Sequence, residues 1–454
     1  MKSINLQSSN LPIIILTLII SGIFSFTKAQ VTSDQDPYHL VRKSFLKQEE
    51  YKISTKPDLK EYTQILLKNN PAIKSAFAGW KAALKRIAVA KGLPDPRISF
   101  GYFIENIETA VGPQEYKLGI RQPIPWLGKL IVQSDIQSLQ AKASFHQLQT
   151  VINKKLLQLQ KVYYKNYYLE RAVTITSRNI KLVENWEKVI LNRYKSNLSR
   201  HADLMKTQMK LLKLQDDIET LKNKKETFLA TFHWLLNVQL NKIETPDSLT
   251  FKPVSDSKEK FIQLILNNNP QLKKYELSNQ IMNREIKLKK LNLLPDFSIG
   301  VDYIFTGNKF KTAGQPVPES GKDPLVIMGS MSIPLWFFKQ SSEIQSAKLN
   351  KLKSDFIYQD QKNNLRNQLE TIWFRIRETS RKYKLYKDKL LPKAWESLQA
   401  SEKAYISDDS EFLNIIDSQK MYLMYQLSAE KALTDYYIAV ADLEFIMGGT
   451  LWEK

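Results

Sequence analysis

Apolar residues recur at helical spacing from Asp58 to Lys91 and again from Lys258 to Leu291. Each stretch runs into a Pro-Asp pair, Pro94-Asp95 or Pro295-Asp296, where the proline ring ends a helix. Beyond each pair the apolar period changes to two. Ile98, Phe100, Tyr102 and Ile104 alternate with Arg97, Ser99 and Gly101, with Phe103 breaking the pattern, and Tyr116, Leu118 and Ile120 alternate with Lys117, Gly119 and Arg121. In the second place Phe297, Ile299, Val301, Tyr303 and Phe305 alternate with Asp296, Ser298, Gly300 and Asp302, and Leu325, Ile327, Met331 and Ile333 form the return strand. Two hairpins follow, each with one apolar face and one small or polar face. Strands of about nine to eleven residues cross a bilayer when tilted, but a half-buried soluble hairpin alternates in the same way.

After the hairpins, Ile124-Pro125 and Ile333-Pro334 end the ladders, because proline cannot donate to one. Trp126 and the Leu335-Trp336-Phe337-Phe338 cluster stand at these ends, as membrane-interface aromatics or as plugs of a core. From Gly128 to Arg193 there is no proline and no further glycine, which predicts a helical rod of about 95–100 Å at 1.5 Å per residue. The arm that follows carries Leu204, Leu211, Leu214, Ile218, Leu221 and Phe228 at steps of 7, 3, 4, 3 and 7, a coiled-coil seam. A second rod and arm run from Phe338 to Tyr405 and from Phe412 to Met447.

The chain is therefore written twice. Ile65 to Pro71 recurs as Leu264 to Pro270 at an offset of 199, Leu93-Pro94-Asp95 as Leu294-Pro295-Asp296 at 201, Ile124-Pro125 as Ile333-Pro334 at 209, and Tyr194 with Gln208 as Tyr405 with Gln419 at 211. The largest step is absorbed by the Gly/Pro-rich insert Gly307 to Pro324, as a loop allows. The organisation read from this is a first repeat over 58–244 with its hairpin at 97–122, a linker at 245–257, a second repeat over 258–449 with its hairpin at 296–333, and a tail at 450–454. An N-terminal extension covers 30–57. Residues 1–29, with Lys2, an apolar run from Leu11 to Phe24 and Thr27-Lys28-Ala29, read as a signal peptide.

The 454 residues carry 67 Lys and Arg against 46 Asp and Glu, a net charge of +21, with 43% apolar residues, too many for a disordered basic tail. Export and the spread of charge over many helix faces argue against a nucleic-acid partner. Cysteine is absent, and His39, His146, His201 and His233 are scattered without ligand spacing, so no metal site, cofactor site or catalytic constellation is expected. A purely structural coiled-coil scaffold, the main reading from another class, explains the rods but not the doubled hairpins. Four strands cannot close a barrel, and an open edge cannot face lipid. Three protomers would supply twelve strands, with the rods forming a tube on one side.

These features resemble the TolC family of outer-membrane efflux proteins, from about Asp58 to Gly449. The resemblance is carried by the helix–hairpin–helix order, by Asn69-Asn70-Pro71 and Asn268-Asn269-Pro270, and by the tips Tyr194 to Ser199 and Tyr405 to Ser410 that open the returning arms. It implies a mostly α fold with a twelve-stranded membrane β-barrel shared by a homotrimer, and a coiled-coil helical barrel in the periplasm. The implied function is the exit duct of a tripartite efflux system, a passive conduit for small molecules or metal ions. An inner-membrane pump would drive it through a periplasmic adaptor; a type I secretion channel is the alternative. It also implies a periplasmic gate or tip at Tyr194, Asp203, Tyr405, Ser410, Asn414 and Asp417, with Trp126 and Trp336 at the membrane interface. Asn197 and Asp408 stand where the family has glycine in the tip turn, and both tolerate a left-handed backbone. Asn414 and Asp417 stand where the family often has two acids, which implies three charges rather than six around the gate.

Overall fold

The structure, a computed structural model, describes residues 54–312, 314–407 and 411–451. The expected signal peptide, nearly all of the N-terminal extension, and Ser410 lie outside the described residues. The first half runs α1 (Leu59–Asn69), α2 (Pro71–Lys91), β1 (Arg97–Glu108), β2 (Pro113–Ile124), α3 (Leu127–Lys195) and α4 (His201–Leu236). The second runs α5 (Lys258–Asn268), α6 (Pro270–Leu291), β3 (Asp296–Thr306), β4 (Leu325–Ser332), α7 (Phe337–Lys384), a π-helical segment (Leu385–Leu390), α8 (Leu391–Ile406) and α9 (Phe412–Met447).

Each opening helical stretch is two helices, broken at an asparagine that serves both. Asn70 ends α1 with an extended backbone, and its Oδ1 accepts from the amides of Ala72 and Ile73, capping α2. Its Nδ2 donates to the Leu235 carbonyl at 2.7 Å, 165 residues away at the end of α4. Asn269 repeats the device, capping α6 through Leu272 N at 2.9 Å and donating to the Ile446 carbonyl at 2.8 Å. The arms so held end in left-handed residues, Asn237 and Gly448. At Gly448, φ is +74°, and a Cβ would stand 2.8 Å from the Asn268 carbonyl, so glycine is required there.

Two equivalent cores result. Tyr62, Ile65, Phe77, Leu148, Phe232 and Leu235 pack α1 and α2 against α3 and α4. Phe261, Ile265, Leu369, Ile372, Tyr436 and Leu443 pack α5 against α7 and α9. The 245–257 segment crosses between them, pinned by tyrosine hydroxyls: Leu249 N donates to Tyr167 at 3.2 Å, Val254 N to Tyr436 at 3.0 Å, and Tyr436 donates on to the Lys252 carbonyl at 2.7 Å.

Helix α3 is one rod of 69 residues, roughly 104 Å at 1.5 Å per residue. The matching rod in the second half has segments of 48, 6 and 16 residues, one residue more in total. A π turn holds more residues than an α turn, so the Leu385–Leu390 segment takes up the extra residue and keeps both rods in step.

The four strands form one antiparallel sheet in the order β1-β2-β3-β4, so the two hairpins are joined edge to edge through β2 and β3. Across it run Ile98–Ile120–Val301–Ile327 and Phe100–Leu118–Tyr303–Leu325 on one face. Ser99–Gly119–Asp302–Val326 and Arg97–Arg121–Gly300–Met328 lie on the other. That second face is not wholly small or polar, since Ile304, Val326 and Met328 share it; Met328 faces Gly300, whose missing side chain leaves it room. The 307–324 loop folds back on the β1–β2 turn through Gly307 N to Pro113 O at 2.7 Å and Gly321 N to Val111 O at 2.8 Å.

Candidate functional site

At the end of the rods farthest from the sheet the two halves meet once more. Helix α3 stops in a Schellman turn: Leu198 N donates to Arg193 O at 2.8 Å, and Asn197 takes the left-handed conformation at φ +58°. This is the backbone for which asparagine substitutes for glycine; Asp408, the matching residue, lies outside the described residues. Below the turn Ile190, Trp186, Leu204, Leu398, Tyr405, Phe412 and Ile415 form a separate core that joins α3 and α4 to α8 and α9.

Tyr405 sits inside this core, 7% exposed, not on an open surface. Its hydroxyl lies 3.1 Å from Ser199 Oγ in the opposite tip, its ring meets Phe412 edge-on at 5.5 Å, and the Arg193 guanidinium lies 5.1 Å from the ring centroid. Arg193 also donates to the Ile406 carbonyl at 3.4 Å. Trp186 Nε1 donates to Glu402 at 2.9 Å, a second polar tie between the halves. Between these ties lies an open apolar groove of about 280 Å³, lined by Leu182, Trp186, Val189, Tyr405 and Phe412.

The other tip candidates are distributed differently. Tyr194 is half exposed, with its ring 5.5 Å from that of His201. Asp203 lies in the first turn of α4, where a carboxylate complements the helix N-terminus. Asn414 and Asp417 are exposed on the first turns of α9, one helical turn apart, beside exposed Leu413 and Lys420. Lys210 lies below Asp203, its ammonium held under the ordinary lysine range by burial and by Lys420, against the pull of Asp217. Tyr405 is thus brought together with Ser199, Arg193 and Phe412, whereas Asn414 and Asp417 face outward from α9.

Along the rods α3 and α9 are stitched by polar pairs. Gln419 Nε2 donates to Asn179 Oδ1 at 3.1 Å, and Asn179 Nδ2 donates to Gln426 at 3.0 Å. Glu430 accepts from Tyr167 at 3.0 Å and Arg171 at 3.1 Å, and Asp442 takes Lys161 at 2.6 Å and Arg375 at 3.0 Å. Gln419 carries a signal in the duplication, since it matches Gln208. Ser199 lies within the tip motif, but nothing local in the sequence marks its partner in the other half.

At the opposite end, where strands pass into helices, Trp126 is 39% and Trp336 66% exposed, with Leu127, Ile131, Leu335, Phe337 and Phe338 exposed beside them. The junction is tied by Asp296, which accepts from the Trp126 N–H at 2.9 Å and from Lys129 at 2.7 Å. The outward face of the sheet continues this apolar surface: Ile98, Phe100, Tyr102, Ile299 and Ile327 are exposed, and Ile104 is 92% exposed. On the opposite face Gly119, Gly300 and Asp302 are buried by their neighbours.

Solved structures share this fold. The outer membrane protein VceC from Vibrio cholerae superposes with a TM-score of 0.71 at 11% identity, over 86% of this chain and 96% of its own. The open state of the Neisseria gonorrhoeae MtrE outer membrane channel gives 0.69 at 15%, over 88% and 94%. The Campylobacter jejuni CmeC outer membrane channel gives 0.67 at 15%, over 93% and 94%. No family model and no curated protein matches the sequence. The chain shares the fold of these channels over 86–93% of its length.

Proposed function

We propose that the chain is a TolC-family protein of the outer membrane, the exit duct of a tripartite efflux system, working as a homotrimer. The observation that carries this is the sheet: a single layer with an exposed apolar face, two unpaired edges at β1 and β4, and an aromatic fringe at its helix-side end. In water such a face and such edges invite aggregation. In a bilayer they become consistent once β1 of one protomer pairs with β4 of the next, closing a twelve-stranded barrel whose apolar face meets lipid and whose polar face lines a lumen. No described helix is long and apolar enough to cross a membrane. Trp126 and Trp336 then lie at the periplasmic interface.

In the same reading the rods of roughly 104 Å extend into the periplasm, and six tips meet around the axis. Tyr405 clamps the second tip to the first within each protomer, and Tyr194, Asp203, Asn414 and Asp417 stand at the same tips, where the tube narrows and a periplasmic adaptor of an inner-membrane pump docks. The duct passes small molecules or metal ions without chemistry of its own. Light scattering of the detergent-purified mature protein tests the assembly: three chains per particle is the expected result, and a detergent-free monodisperse monomer would overturn it.

A further inference from the structure

The charges on the polar face of the sheet are unevenly placed, and one row lacks counter-charge. Arg97 of β1 and Arg121 of β2 are direct cross-strand partners, and Arg121 faces Gly300 of β3, which faces Met328 of β4. Like charges directly opposite one another destabilise an antiparallel pair. A carboxylate within reach would relieve this, yet both candidates on this face are engaged elsewhere. Asp302, two residues beyond Gly300, is buried against Lys117 at 3.2 Å. Asp296, four residues before Gly300, is held by Lys129 at 2.7 Å and by the Trp126 amide at 2.9 Å.

Both arginines are exposed, and no ion pair or hydrogen bond of either guanidinium occurs among the described residues. Gly300 keeps the row open, since a Cβ there would meet Arg121 Cβ at 3.5 Å and the Ile120 carbonyl at 3.1 Å. Toward the loop end of the strands the sign changes: Glu108, 3.5 Å from Lys309, and Glu115 lie there. The unpaired positive charge is therefore confined to one level of the sheet, next to the helices.

We propose that Arg97 and Arg121 form an anion-selecting belt at the helix-side end of the barrel, so that the duct favours anionic cargo. This rests on the duct reading, in which the polar face lines the lumen. A threefold assembly brings six guanidinium groups to one level. Their planar forks match the oxygens of carboxylate, sulfate and phosphate groups two at a time. The summed field of such a ring raises the local concentration of anions in the lumen at that level.

The test is a planar-bilayer recording of the purified trimer under a KCl gradient, with sodium tripolyphosphate added on the barrel side. The wild type is expected to reverse on the chloride side of zero and to be blocked by tripolyphosphate. Arg97→Gln with Arg121→Gln should raise the half-blocking concentration at least tenfold and lower the chloride-to-potassium permeability ratio at least twofold. Lys222→Gln, on the exposed face of α4, should change neither. Should the double variant fail to insert, Arg121→Gln alone is read, with a threefold or greater change in block expected. A conducting variant with wild-type block and wild-type reversal overturns the belt and leaves the duct standing. A folded, trimeric wild type that passes no current overturns the duct reading, and the belt with it.

Discussion

Replacing Tyr405 by Phe removes one hydroxyl and leaves the ring against Phe412 and under Arg193, so the change isolates the 3.1 Å contact to Ser199 Oγ. Such a hydrogen bond is worth about 0.5–1.5 kcal/mol net. In the proposed trimer, three copies acting together would supply about 1.5–4.5 kcal/mol toward the proposed closed arrangement, and their loss would raise the open population roughly tenfold to a thousandfold, at about 1.4 kcal/mol per decade. Single-channel recording of the purified variant reads this directly, as longer or larger openings than the wild type, with trimer mass as the control for integrity. Ser199→Ala should give the same phenotype, and the double variant should be no stronger than either single one, because both remove one bond. An intact Tyr405→Phe trimer with wild-type openings would refute the clamp, as would fully additive effects of the two changes.

If the apolar row Phe100–Leu118–Tyr303–Leu325 meets lipid as proposed, Arg in place of Phe100 should cost about 2–4 kcal/mol, whereas Arg at Ser99 on the opposite, polar face should be much milder; trimer yield in the membrane fraction reads both. Asn269→Ala removes the cap of α6 and leaves the Ile446 carbonyl without its donor, a combined loss of roughly 2–4 kcal/mol seen as a lower melting temperature, and Asn70→Ala should match it in the first half. Burial on α3 holds His146 below its ordinary value of 6.5, with the Gln149 hydrogen bond opposing the shift, Lys273 reinforcing it and Glu276 opposing it. Because the unfolded chain then binds more protons, stability is fully present above about pH 6.5 and falls as the pH drops through that value toward the folded one. His146→Gln should flatten the decline in melting temperature between about pH 7.5 and 5.5, and an unchanged slope would count against this assignment.

Periodicity made the hairpins and rods legible, and the duplicated Pro-Asp and Ile-Pro pairs placed their ends, because these are local consequences of side-chain spacing and of proline's missing N–H. What stayed hidden depends on pairing across the fold. The breaks at Asn70 and Asn269 read as ordinary helix until each side chain is seen bonding the far end of a returning arm. The joining of β2 to β3 and the π-helical turn at Leu385–Leu390 are adjustments of one half to the other, which a single half does not encode. At the tip, the left-handed turn at Asn197 was readable from residue type, but the burial of Tyr405 was not, since its partner Ser199 lies 206 residues earlier. Ser410, read as a tip residue from the same motif, lies outside the described residues.

The central claim is that three copies of this sheet close around a water-filled lumen continuous with the helical tube. Conductance across a planar lipid bilayer tests it most directly: the detergent-purified mature protein should insert in discrete, uniform current steps. Protein that is folded by circular dichroism and inserts into the bilayer, yet produces no steps, would contradict it.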